Sequence, residues 1–84
     1  MDKIELAIQE VMSAVFEKDA GSITPESSQD NIDNWDSLKH LDLITFLEDE
    51  FEITFPVEEI GHLVSFRLIR VIVEEQLEIE GKKI

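Results

Sequence analysis

The stretch Asp36-Ser37-Leu38-Lys39-His40-Leu41-Asp42-Leu43-Ile44-Thr45-Phe46-Leu47-Glu48-Asp49-Glu50-Phe51 decides how this 84-residue chain is read. At about 100° per residue, Leu41, Leu43, Ile44, Leu47 and Phe51 fall in one sector roughly 160° wide. That is the pattern of an α-helix packed by neighbours on more than one side, and the helix is expected over about 37–51. Asp36 or Ser37 suits its N-cap, because a short oxygen-bearing side chain accepts from the unpaired N–H groups of a first turn. Outside the sector stand Leu38, Asp42, Thr45, Phe46 and Asp49, a mixed acidic and apolar face. Isolated exposed apolar residues are common, so the wheel alone leaves this face balanced between a solvated side and a docking patch.

Upstream, residues 20–36 hold Gly21, Pro25, Asn31, Asn34, four Ser or Thr and four acids. No period survives there, so the segment reads as loop. A loop of that length in so small a domain needs anchors of its own, and Ile23, Ile32 and Trp35 are the candidates. Before it, Asp2 and Glu5 form a capping box that opens a helix over about 2–19. Ile4, Ile8, Val11, Met12, Val15 and Phe16 share one face of that helix. Lys18 suits its last turn, and Gly21 suits the left-handed residue that ends it.

Downstream, Pro56 precedes a short helix over about 57–60, which Gly61 closes. Ser65 caps a last helix over about 66–78, with Phe66, Ile69, Ile72, Val73 and Leu77 on its apolar face. The charged tail from Glu78 to Ile84 is expected to fray. The expected fold class is all-α. It is a small helical bundle of three main helices plus a short fourth, with a long loop between the first two helices, in one domain over 1–84.

Charge narrows the function. Seven Lys and Arg against twenty Asp and Glu give −13. Nonspecific binding to nucleic acid or anionic membrane demands the opposite sign, so basic partners are expected instead. No apolar run approaches the roughly 18 residues of a membrane span, and the acid-bearing N-terminus does not read as a signal peptide. A cytoplasmic monomer with no membrane insertion is the expectation. The absence of Cys removes a disulfide framework, a zinc knuckle and any intrinsic thiol nucleophile.

Catalytic constellations are poor. Ser37 and His40 stand at i, i+3, but no third group clearly positions the imidazole, and His62 stands alone. The acidic run Asp30–Asp36 has Trp35 and Leu41 where a calcium loop needs Gly and Glu, so no metal ligands are assigned. No phosphate loop or zinc-protease motif occurs. The expectation is a protein that is not an enzyme.

Asp36-Ser37-Leu38 is the one short motif with a mechanism. A serine at the start of a helix presents its hydroxyl at the positive end of the helix dipole, where a phosphate ester would be stabilised. Here the sequence resembles the acyl carrier protein family. Asp36-Ser37-Leu38 is similar to its attachment motif, and Leu47-Glu48-Asp49-Glu50-Phe51 to the acidic Leu-Glu-x-x-Phe end of its second helix. Ile53-Thr54-Phe55-Pro56 with Glu58-Glu59 is similar to its third-helix entry. The likeness runs through residues 2–78, including the loop length and the acidic composition.

The resemblance implies a 4′-phosphopantetheine arm joined to Ser37 by a phosphopantetheinyl transferase, with Asp36 and Leu38 flanking the attachment. It implies acyl cargo carried as a thioester between acyl-loading, condensing and acyl-transfer enzymes bearing basic docking patches. The pathway would be of fatty acid, lipid or polyketide type. Leu38, Lys39, Asp42, Thr45, Phe46, Glu48 and Asp49 are the implied recognition positions. Leu41, Ile44, Leu47 and Ile69 are candidates to line a shelter for the acyl chain, although a plain core explains them equally. Lys39 stands where fatty-acid carriers usually have an acid. Trp35 before the motif looks more like specialised polyketide or aminoacyl carriers. An aminoacyl or peptidyl carrier is therefore the alternative, and a cofactor-free acidic helical interaction module the rival from another class.

Overall fold

The computed structural model describes residues 1–82. It contains four α-helices in order: α1 (Lys3–Phe16), α2 (Ser37–Phe51), α3 (Val57–Ile60) and α4 (Phe66–Ile79). α1 packs against both α2 and α4. Among the described residues there is no strand, only an isolated bridge between Ser28 and Ser65. The all-α bundle expected from the periodicity is the fold observed.

Each long helix starts where a side chain can take its orphan N–H groups. Asp2 accepts from Glu5 N–H and the Glu5 carboxylate accepts in return from Asp2 N–H, completing the capping box of α1. Ser65 Oγ accepts from Leu68 N–H at the head of α4. Arg70, on α4, pairs with Asp2 and Glu5 at the head of α1 and with Glu74 one turn on, tying the two helices together.

Helix ends depend less on local sequence. α1 stops at Phe16, three residues short of the expected end, and the left-handed residue is Glu17 (φ 54°) rather than Gly21. Lys18 N–H reaches back to Ser13 C=O, and the Ser13 hydroxyl donates to Lys18 C=O. The early reversal lets the loop return: Gln9 Nε2 donates to the carbonyls of Ala20 (2.7 Å) and Ile23 (3.0 Å). Ile23 thereby reaches the core, and Gly21 sits within a 3-10 turn at Ala20–Ser22 with no need of positive φ. α2 ends in the same way on Glu52 (φ 54°), with Ile53 N–H donating to Glu48 C=O.

The tail expected to fray from Glu78 instead closes in order as far as Lys82. α4 runs to Ile79, and Gly81 at φ 68° lets Lys82 N–H bond to Leu77 C=O and Gly81 N–H to Glu78 C=O. These are the two bonds of a Schellman motif. The Glu80 carboxylate accepts from Thr54 N–H at 3.0 Å and from Gln76 Nε2 at 2.7 Å. Lys83 and Ile84, the rest of that expected tail, lie outside the described residues.

The core joins Ile8, Met12 and Phe16 of α1, Leu43 and Leu47 of α2, and Phe66, Ile69 and Val73 of α4. Ile23, Ile32 and Trp35 are all buried, so the long loop is held by the three apolar anchors the sequence offered. Its backbone is also pinned to the head of α4, through Gln29 N–H to Val64 C=O and Phe66 N–H to Ser27 C=O. These two bonds fix the loop upstream of Ser37.

One core assignment is corrected. Leu41 is 58% exposed, whereas Leu43, Ile44, Leu47 and Phe51 are buried. The neighbour on that side is only the one-turn α3 and the bend after it, too small to cover the flank. His40 lies nearer the centre of the buried sector than Leu41 and takes the inward position.

Candidate functional site

Ser37 is the first residue of α2, and Asp36 is its N-cap. The Asp36 carboxylate accepts from Lys39 N–H at 2.9 Å, so the capping role falls to Asp36 and Ser37 stands exposed beside it. A tetrahedral anion on the Ser37 oxygen would lie at the positive end of a 15-residue helix. Leu38, the next residue, is 69% exposed.

Beside Ser37 lies an open groove of about 660 Å³, walled by Gln29, Trp35, Asp36, His40, Leu41, Gly61 and Val64. Its floor is built around the indole of Trp35. That ring packs on Phe16 of α1 with centroids 4.8 Å apart and stacks on His40 at 6.2 Å. Trp35 Nε1 donates to His40 Nδ1 at 3.1 Å, and His40 Nε2 meets the Ile60 carbonyl at 2.8 Å. Both imidazole nitrogens are thus committed away from Ser37, and the serine–histidine pair drawn from the sequence is not assembled. His62 is exposed and lies 3.8 Å from Glu59. Among the described residues no cluster of His, Asp and Glu could hold a metal ion.

The candidate recognition residues fall on two flanks and a crest. Leu38, Asp42, Thr45 and Asp49 form the crest of α2, turned away from its buried residues. Leu41 lines the groove beside Ser37. Phe46, 45% exposed, turns instead toward α1, where Val11 and Ala14 with Glu10, Asp49 and Glu50 line a separate groove of about 400 Å³. Glu48 differs from its neighbours: it is half-buried, and its carboxylate accepts from Phe55 N–H at 2.8 Å, which fixes the chain after α2. Lys39 reaches Glu17, just beyond α1, at 3.4 Å. Among the described residues no Lys or Arg pairs with Asp42, Glu48, Asp49 or Glu50; the ion pairs involve acids outside α2. Of the acyl-shelter candidates, Ile44, Leu47 and Ile69 are packed in the core, and Leu41 is on the surface.

Sequence reasoning singled out Ser37, Asp36 and Trp35 but gave His40 no bonded role. The signal was present: a Trp and a His five apart, straddling a helix start. Only the fold shows that the second imidazole nitrogen meets α3.

A capped helix start thus presents an exposed serine on an acidic bundle with a long anchored loop. No family model matches the chain. Among solved structures it is similar to the solution NMR structure of a holo acyl carrier protein from Geobacter metallireducens, at a TM-score of 0.80 and 30% identity. The likeness covers 94% of this chain and 91% of that one. The chain belongs to the acyl carrier protein family, and is a carrier protein rather than an enzyme.

Proposed function

We propose that Ser37 carries 4′-phosphopantetheine and that the protein shuttles acyl intermediates between enzymes of fatty acid, lipid or polyketide type. The observation behind this is the division of labour at the head of α2: Asp36 caps the helix, leaving Ser37 exposed at its positive end. The residues present fit the group. The attachment oxygen is accessible, the helix start favours a phosphodiester anion, and a groove adjoins it for the emerging arm. When bound, the arm supplies the thiol that this Cys-free chain lacks, and holds cargo as a thioester.

Attachment would form a bond from Ser37 Oγ to the pantetheine-side phosphorus of coenzyme A. The pyrophosphate P–O bond breaks, adenosine 3′,5′-bisphosphate leaves, and the hydroxyl proton passes to a base of the transferase. The chain itself supplies a positioned nucleophile. Asp42 and Asp49 on the crest of α2, free of Lys or Arg partners among the described residues, support docking to basic patches on the transferase and on acyl-loading, condensing and acyl-transfer enzymes. The cytoplasm is the proposed place of work. Among the described residues no helix is long and apolar enough to cross a membrane.

Incubation with coenzyme A and a broad-specificity transferase, followed by intact mass measurement, tests the reading. One phosphopantetheine should be gained, and Ser37→Ala should abolish the gain. A wild-type protein left unmodified by a transferase active on a control carrier would favour the cofactor-free interaction module.

A further inference from the structure

His40 makes no bond to Ser37, yet it is among the most fully bonded side chains near it. An indole N–H can only donate, so the 3.1 Å contact with Trp35 makes His40 Nδ1 an acceptor. The ring proton must then sit on Nε2, which donates to Ile60 C=O at 2.8 Å. Ile60 is the last residue of α3. One neutral imidazole, in one tautomer, therefore joins the end of the long loop, the first turn of α2 and the end of α3. Trp35 extends the link to α1 through Phe16.

We infer that His40 is the positioning residue of the Ser37 site: by bridging Trp35 to Ile60 it fixes the groove into which an arm on Ser37 emerges. This rests on the attachment reading for its functional meaning, but the bridge itself does not. Asp36, from the cap of the same helix, shares the groove. On the α3 side Glu59 and His62 flank Ile60 and face each other at 3.8 Å. Lys39 is drawn to Glu17 at the end of α1.

Trp35 is the only tryptophan of the chain, so its indole N–H gives one resonance in a ¹H–¹⁵N spectrum of the apo protein. Its protection from solvent exchange, relative to free tryptophan at the same pH, should be about three- to tenfold in the wild type. His40→Asn keeps an acceptor near Nδ1 but does not reach Ile60, so the indole should stay protected. His40→Phe keeps a ring but neither bond, and should leave the indole unprotected. A wild-type indole no better protected than that of His40→Phe, or a His40 ring whose ¹⁵N shifts show Nδ1 protonated at neutral pH, overturns the bridge. Positioning is read in transferase kinetics: KM for the carrier should rise most in His40→Phe, which loses both bonds, and less in His40→Asn, which keeps the Trp35 bond and loses the Ile60 tie. Equal KM in all three overturns the positioning role. A Ser37 that accepts no arm in any variant overturns the attachment reading alone, and the indole protection still decides the bridge.

Discussion

At the residue scale, Glu17 and Glu52 carry unusual backbone. Both hold φ near 54°, a conformation that costs a residue with a Cβ about 1 kcal/mol or more relative to glycine. Each is held there because the chain must reverse immediately to bury its next apolar residues: Ile23 beyond α1, and Ile53 and Phe55 beyond α2. Glu52→Gly should therefore stabilise the fold by about 0.5–1 kcal/mol, after allowing for the greater freedom of glycine in the unfolded chain. The measurement is the urea midpoint at unchanged m-value, and a lowered midpoint would contradict it. Glu17→Gly should gain less, because it also removes the exposed pair with Lys39, itself worth only about a few tenths of a kcal/mol.

At the element scale, α2 joins a structural start to a crest proposed for docking. Its start is structural through Asp36. Asp36→Ala should cost about 1 kcal/mol by loss of the cap, while Asp36→Asn, which still accepts from Lys39 N–H, should cost only tenths. Comparing transferase rates of these two variants separates capping from recognition of the carboxylate. The crest is different, since Asp42 and Asp49 have no Lys or Arg partner to lose among the described residues. Asp42→Lys with Asp49→Lys should leave the melting temperature equal or higher, and lower transferase kcat/KM by about tenfold or more, chiefly through slower association. Unchanged kcat/KM would move docking off this face.

For the whole molecule, −13 in 84 residues means self-repulsion, so added salt should raise the melting temperature. A melting temperature flat in salt would show that repulsion is not limiting. Two carboxylates run against the trend. Asp2 is held below the usual carboxylate range, first by Glu5 N–H and then by Arg70; Glu80 is lowered first by Thr54 N–H and then by Gln76. A carboxyl lowered in the native state stabilises the fold above its unfolded value and loses that contribution as pH falls through the native one. Mild acid should thus relieve the general repulsion, whereas below about pH 4 these two ties are lost. Melting curves of Glu80→Gln should show a shallower acid limb than wild type. An identical limb would remove Glu80 from the account.

Helix identities, the three loop anchors, the caps at Asp2, Asp36 and Ser65, and the candidate serine were legible because each depends on spacing along a few turns. Hydrophobic period and cap chemistry are local quantities, and the sequence states them directly. The true ends of α1 and α4, the exposure of Leu41, the commitment of Glu48 to Phe55 N–H and the His40 bridge were not. Each is settled by a group across from it: a loop that must return, a neighbouring helix too short to cover a flank, a carbonyl twenty residues away. Local pattern thus named the serine proposed for attachment and most of the side chains that hold the bundle together. The surroundings of that residue came from packing, because contacts between distant segments form as whole elements assemble and leave no period to read.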